Sequence, residues 1–482
     1  MNVRLQLKII SLLIIIISCF MIVPAILALY YQEMESFNAF VIVIAVSCSL
    51  ALIFLYRFRK LKTELMSTRD GFVFVTLSWI FAALIGSLPL TLSGAFPSFT
   101  DAYFEVMSGF TTTGASILTD IESMPRSILF WRSLSHWLGG MGIVVLSVAI
   151  LPILGIGGLQ LIKAEAPGPT VDKLTPRIAG TAKILWFIYI GFTVTETVLL
   201  LFGGMDLFDA LTHTFSTLAT GGFSTKNASV GHYNSAYIDG VITLFMIFAG
   251  INFTLHFRVL TGRLHYLKHN TEFKIYLLIF VVSTLLIAFN LRSFYGSAGD
   301  CFRFASFQAA SILTTTGFAT TDFEQWPFLS QMILFFLMFI GGCSGSTGGG
   351  IKVIRIVTLL KQGFNEMKFL LHPRGVFTLR ISGNVVRKNI VYAISGFFFL
   401  YVFILLIISL TVATSGQDLI TSFSTALATL GNIGPGFGKI GPAENYAFYP
   451  GYVKWTLSFA MLVGRLELYT VLVLFTPRFW KH

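Results

Sequence analysis

The sequence predicts an all-α integral membrane protein made of four pseudo-symmetric repeats behind an N-terminal helix pair. Three observations predict it. Of 482 residues, 55% are hydrophobic, 15% aromatic and only 11% charged, and the mean hydropathy is +0.80, far outside the composition of a soluble globular chain. Apolar runs of about 20 residues, long enough to cross hydrocarbon, recur from end to end. Four similar signatures, Thr112-Thr113-Gly114, Thr220-Gly221-Gly222, Thr315-Thr316-Gly317 and Thr429-Leu430-Gly431, each close an additional apolar segment too short to cross.

In chain order the expected spans are 9 to 30, 37 to 56, 72 to 93, 127 to 154, 183 to 203, 237 to 258, 274 to 291, 328 to 360, 388 to 413 and 453 to 476. The first follows Arg4 and Lys8 like a signal peptide. Its apolar run is too long for an h-region and no small-residue cleavage site follows, so it is expected to stay as a helix. Basic clusters at Arg57 to Arg69, Lys163 to Lys183, Arg258 to Lys274 and Lys352 to Lys388 fall in alternate connections, which makes those connections, and both termini, cytoplasmic. The formal charge of +11 therefore belongs to membrane loops beside lipid, and no nucleic-acid partner is expected. Cys19, Cys48, Cys301 and Cys343 show neither pairing nor metal-ligand spacing and read as packing residues.

The last eight spans form four pairs, and each pair encloses one short segment: 101 to 113, 208 to 221, 302 to 316 and 418 to 430. Asp101, Asp209 and Asp418 stand thirteen residues before the last Gly of their signatures, where a carboxylate suits a helix N-terminus. Phe304 occupies that place in the third copy, so its helix must begin differently. The expected division is an N-terminal segment 1–69 and repeats 70–180, 181–270, 271–385 and 386–482. Two crossings separate consecutive signatures, so all four enter from one face and surround an axis along the membrane normal. The short helices then aim their C-terminal ends, each carrying about half a negative charge, at the membrane centre and favour a cation there. Carbonyls of the four signatures can replace its water shell, and Gly lets the chain turn without a Cβ clash.

Two further features bear on passage. The run from Gly341 to Gly350 interrupts the long apolar stretch 328 to 360, and non-helical backbone at that depth is tolerated only when buried in protein or lining water. Gly345, Ser346, Thr347, Gly348, Gly349 and Gly350 are therefore expected beneath the signatures as a gate; an inert close-packed kink competes. A phosphate loop does not, because the Gly-Lys-Ser/Thr ending is missing. Arg465 sits mid-span, where a lone cation costs about 3 kcal/mol, and is expected in the path as a barrier. Pairing with Glu467 is disfavoured, since residues two apart on a helix do not face each other. Lys352 either anchors the glycine-rich loop or snorkels to the interface. Glu105, Glu196, His213 and His256 leave a proton relay open. No zinc motif, nucleophile elbow or catalytic carboxylate pair appears, so enzymatic activity has no support.

Taken together, these residues resemble the Trk/Ktr/HKT potassium-transporter superfamily, in its TrkH/TrkG-type membrane subunits. The resemblance covers nearly the whole chain and rests on the strings TTTGAS, ATGGFS, TTTGFA and TLGNIG at 111 to 116, 219 to 224, 314 to 319 and 429 to 434, with the glycine-rich loop and Arg465. It implies helix–pore-helix–helix units like a fourfold potassium channel folded from one chain, passing K+ in the bacterial cytoplasmic (inner) membrane. It also implies a homodimer docked on a cytoplasmic TrkA-type regulatory subunit that carries any nucleotide. Ser in place of the first filter Gly accompanies sodium preference in related plant transporters, so Gly114 implies potassium. Ala115 and Asn432 follow filter glycines where Phe223 and Phe318 stand in the other copies, which makes the ring only pseudo-symmetric. The expected function is potassium uptake through a channel-like filter gated by the glycine-rich loop. The alternative is a proton- or sodium-coupled potassium symporter with alternating access, against which the same-facing repeats weigh.

Overall fold

The computed structural model describes residues 3–61, 67–145 and 178–480. Most of the expected basic stretch from Lys163 and the end of the span 127 to 154 lie outside the described residues. Helices α1 (Val3–Tyr30) and α2 (Met34–Arg57) form a hairpin that packs on α3 (Thr68–Leu92). From α3 onward a pattern of long, short and long helices repeats. The first unit adds α4 (Phe99–Phe110) and α5 (Arg126–Val145). The second is α6 (Ile178–Phe202), α7 (Leu207–Leu218) and α8 (Ala236–Ala249), continued by α9 (Phe253–Leu260). The third is α10 (Thr271–Asn290), α11 (Ala298–Leu313), α12 (Phe328–Leu337) and α13 (Val353–Leu371). The fourth is α14 (Lys388–Ala413), α15 (Leu419–Leu430) and α16 (Gly451–Arg465).

The N-terminal hairpin is fastened by its tip. Glu33 accepts the backbone N–H of Arg126 at 2.6 Å and of Ser127 at 3.1 Å, so a side chain from α1–α2 supplies acceptors that the first turn of α5 cannot find within itself.

Helices α4, α7, α11 and α15 are buried through their C-terminal halves and too short to span. At 1.5 Å per residue, the 12-residue helices reach about 18 Å, against about 30 Å of hydrocarbon. Each starts on a side-chain cap: Ser98 to Asp101, Asp206 to Asp209, Ser297 to Asp300 and Asp418 to Thr421. Asp101 and Asp209 thus stand inside the first turn, where a carboxylate suits the positive helix end, while Asp418 is itself the cap. The third helix begins differently, as expected: α11 has 16 residues and starts one turn earlier, with Asp300 in the first turn where Phe304 offered no cap.

Six described helices are long and apolar enough to cross, and two bent pairs raise the number to eight. The spans expected as straight helices at 237 to 258 and 453 to 476 are broken, by 102° between α8 and α9 and by 112° after α16. At the first break the Gly250 carbonyl accepts Cys343 N–H at 2.8 Å and Phe253 N–H goes to the Gly345 carbonyl at 3.1 Å. The helix opens because its backbone pairs with the glycine-rich loop instead of with itself. At the second, Glu467 and Leu468 both take φ of 55°, a left-handed conformation costly for non-glycine residues.

Candidate functional site

The four short helices end in loops of one design. In α4, α7, α11 and α15 the last helical residue lies four positions before Gly114, Gly222, Gly317 and Gly434, respectively. Those glycines have φ of 80°, 78°, 82° and 94°. Two residues before each stands a non-glycine residue that is also left-handed: Thr112, Thr220, Thr315 and Asn432. Between them, Thr113, Gly221, Thr316 and Ile433 donate their N–H to the carbonyls of Ser108, Ser216, Ser311 and Ala428 at 2.8 to 2.9 Å.

This correspondence differs from the sequence expectation in the fourth copy. Thr429 and Leu430 are the last residues of α15, and Gly431 is right-handed with its N–H on the Leu427 carbonyl at 2.8 Å. The structural counterpart of Thr112-Thr113-Gly114 is Asn432-Ile433-Gly434, three residues later. With that register the caps also align, since Ser98, Asp206 and Asp418 each precede their loop glycine by sixteen positions. The signal available in sequence was a second glycine, in TLGNIG, and the tolerance of Asn for positive φ.

The loops close on one another cyclically. A Cβ added to Gly114 would overlap the Gly221 carbonyl oxygen, one on Gly222 that of Thr316, one on Gly317 that of Ile433, and one on Gly434 would lie 2.6 Å from that of Thr113. Each glycine therefore abuts the next copy's backbone, and the fourth returns to the first. A cavity of about 130 Å³ has Gly114, Gly222, Gly317 and Gly434 in its wall, together with Arg132, Lys226 and Glu444.

The glycine-rich loop lies directly against the other ends of these segments. Thr347 Oγ1 donates to the Leu218 carbonyl at 2.9 Å, and Gly349 N–H donates to Thr315 Oγ1 at 2.7 Å. A Cβ on Gly348 would stand 3.1 Å from the Thr314 carbonyl oxygen, and one on Gly349 would crowd that of Gly431. The loop's neck is pinned by Gly341 N–H on the Ile351 carbonyl at 2.9 Å. Glu272, which the sequence reading missed, holds its shoulders by accepting Ser344 N–H at 2.8 Å and Ile354 N–H at 3.1 Å. Glu272 opens a span and resembles any helix-initiating acid, so nothing local marked it.

Arg465 and Lys352, both buried, point at this loop. Arg465 donates to the Thr347 carbonyl at 2.6 Å and to the Gly139 carbonyl of α5 at 3.0 Å. Lys352 Nζ donates to the Gly348 carbonyl and, at 3.4 Å, to that of Gly349, so it anchors the loop and does not snorkel. Glu467 pairs with Arg355 of α13, leaving Arg465 to backbone oxygens. Among the described residues no group of three or more His, Cys, Asp or Glu is arranged to hold a metal ion.

The other ionisable groups separate. Glu105 and His213 brace the loops from behind: Glu105 pairs with Arg132 at 2.7 Å, and His213 Nε2 lies 2.9 Å from Ser224 Oγ. His256 bonds the Phe248 carbonyl at 2.9 Å. Glu196 is fully buried and neither oxygen finds a hydrogen bond, the nearby Thr217 hydroxyl being given to the His213 carbonyl. These four do not form a continuous chain of hydrogen bonds.

Residues 33–482 match the family model TrkH, described as cation transport protein. The chain is 43% identical to the Trk system potassium uptake protein TrkH of Escherichia coli K12 and 44% identical to that of Salmonella typhimurium, each alignment covering 100% of both chains. It is 37% identical to TrkG of Escherichia coli K12, over 96% of this chain and 95% of that one. The crystal structure of the potassium transporter TrkH from Vibrio parahaemolyticus superposes with a TM-score of 0.90 at 41% identity, covering 100% of both chains.

Proposed function

Because this chain belongs to the TrkH family of cation transport proteins, we propose that it takes up potassium across the bacterial cytoplasmic membrane through one filter built from four loops. The observation that carries the reading is the cyclic contact of Gly114, Gly222, Gly317 and Gly434 with the next loop's carbonyl. Positive φ at two of every three loop positions is incompatible with a flat strand, whose carbonyls alternate in direction, and supports carbonyls turned together toward the axis. A K+ ion entering the outer cavity exchanges water for the carbonyls of 112–114, 220–222, 315–317 and 432–434. The C-terminal ends of α4, α7, α11 and α15 lower its energy beyond that point.

The glycine-rich loop 345–350 then closes the path on its cytoplasmic side, held by Arg465 and Lys352. Opening requires those carbonyls to be released, and the cations themselves oppose a passing K+ until they move. Both termini face the cytoplasm in this reading, and the chain acts as a homodimer under a nucleotide-binding regulatory subunit. The exposed apolar residues Leu360, Phe364, Met367 and Leu370 beside Lys361 and Lys368 on α13 offer a surface for such contacts. Potassium-selective flux into proteoliposomes, independent of imposed proton and sodium gradients and losing its preference for K+ over Na+ in Gly222→Ser, tests the proposal.

One observation favours a second reading, a proton- or sodium-coupled potassium symporter. It is the buried, unbonded carboxyl of Glu196, since intramembrane acids are costly and commonly functional.

A further inference from the structure

Behind the four loops runs a second ring of contacts in which the copies differ chemically. Nine residues before each loop glycine stand Glu105, His213, Gln308 and Thr425, all fully buried. Each reaches the segment that leaves the loop or its continuation. Glu105 accepts Ser116 Oγ at 2.8 Å and Ile117 N–H at 2.9 Å. His213 meets Ser224 at 2.9 Å, and Ser116 and Ser224 hold equivalent positions two residues past the glycine. Gln308 reaches Thr320 only at 3.4 Å, and Thr425 meets Tyr449 at 2.6 Å.

The first copy is the exception in two ways. The residue after its loop glycine is Ala115, whereas Phe223, Phe318 and Pro435 fill that position elsewhere, so it lacks a bulky wedge. At the position nine residues before the glycine it alone carries an ion pair: Arg132, 2% exposed, donates to Glu105 at 2.8 Å and to Ser116 Oγ at 3.2 Å. The same guanidinium lies 4.1 Å from the centre of the Phe223 ring in the second copy. One ion pair therefore holds the outgoing segment of copy one and leans on that of copy two. We infer that Glu105 and Arg132 are positioning residues that set ion selectivity, by keeping the first two loops from closing inward around a smaller ion.

The physical reason lies in the distance over which a carbonyl cage must resist collapse. A bare Na+ gains most when oxygens move in to meet it, so discrimination against it depends on how firmly the backbone is held from outside. Charge-assisted bonds in a dry interior are about twice as strong as neutral ones, and copy one places three donors on one carboxylate. The inference rests on the filter reading above and deepens it.

The test measures Na+ and Rb+ against K+ flux in proteoliposomes at matched protein content. Glu105→Gln should lower the K+ to Na+ ratio by about tenfold, the order expected from losing one charge-assisted hydrogen bond, while K+ flux itself persists. Glu105→Asp should recover part of the ratio. Ser116→Ala, which leaves the ion pair in place and removes only the loop-side hydroxyl, should shift the ratio in the same direction and decides the matter if Glu105→Gln fails to fold. Gly222→Ser is the control for the underlying reading. Unchanged ratios in the Glu105 and Ser116 variants, with Gly222→Ser altering selectivity, overturn the inference and leave the filter intact. Unchanged selectivity in Gly222→Ser as well overturns the filter reading itself.

Discussion

Arg465 Nη1 lies 2.6 Å from the carbonyl oxygen of Thr347, so the buried guanidinium of α16 is joined to the backbone of the glycine-rich loop 118 residues earlier in the chain. Its second bond, to the Gly139 carbonyl at 3.0 Å, clamps that loop to α5. An arginine that only blocked the path by charge would not need to grip the loop. Here it does both.

Arg465→Ala removes the clamp. Loss of a charge-assisted bond worth about 1.5–3 kcal/mol shifts the closed population by about tenfold or more. Unregulated K+ flux should rise by that order with selectivity retained, measured as K+ efflux from loaded vesicles. Flux equal to the parent at equal reconstitution would remove the latch role.

The two glycines of the fourth loop should differ sharply. Gly434 is left-handed at 94° and faces the Thr113 carbonyl, whereas Gly431 is right-handed and its added Cβ would meet the Leu427 carbonyl oxygen at 2.8 Å and the flexible end of Ile433 at 3.0 Å. Gly434→Ala should abolish potassium uptake, and Gly431→Ala should leave a reduced but measurable rate in a potassium-limited growth assay. The reverse order of severity would restore the Thr429-Leu430-Gly431 register.

Glu467 is held at φ 55° and pairs with Arg355, which is 2% exposed and lies over the Phe397 ring at 4.0 Å. The pair pins the strained break after α16 to α13. Arg355→Ala leaves a carboxylate facing a cavity and should cost about 3 kcal/mol, read as a lower midpoint in thermal unfolding of the detergent-purified protein. An unaltered midpoint would show that the break stands without it.

Glu324, in the connection between α11 and α12 beside Asp322 and Glu444, is raised above the ordinary glutamate pKa, first by burial, with its neighbours' charges adding and the Gly438 N–H opposing. A folded-state pKa above the unfolded one means the native state binds the proton more tightly, so its contribution is present in acid and is lost as pH rises through the folded value. Glu324→Gln should therefore gain melting temperature over the parent as pH increases from about 4 toward 8, with no gain at the acid end. A constant difference across that range would contradict the assignment.

Glu196→Gln separates the two transport readings. Its oxygens accept no hydrogen bond, and the amide keeps the shape, removes the titratable proton and puts an NH2 group in place of one oxygen. Uniport predicts K+ flux within about twofold of the parent at every imposed pH gradient. Loss of gradient-driven accumulation would favour the coupled carrier.

Much of this architecture was legible because its signals are local. Apolar run length, capping residues and the Thr and Gly of the first three signatures depend on neighbours within one or two turns. That is why Phe304 already announced a different start for the third short helix. The interruption at 341–350 was legible for the same reason. What failed was also local in appearance: Thr429-Leu430-Gly431 resembles its counterparts, yet α15 runs through it because Gly431 keeps its helical bond to Leu427. The left-handed turn falls instead on Asn432, whose side-chain amide donates to Thr113 Oγ1 at 3.0 Å and to the Met461 carbonyl at 2.9 Å, partners 319 and 29 residues away.

By itself, then, the sequence determined the membrane class, the fourfold repeat and the residue types able to face an ion, since composition, periodicity and backbone freedom are properties of short segments. Tertiary structure decided the register of the fourth loop, the breaks at Gly250 and Glu467, and the pairing of Glu467 with Arg355 and of Arg465 with Thr347. Buried donors and acceptors must find partners in a medium without water. Which partner each finds depends on helices far apart in the chain meeting around one axis.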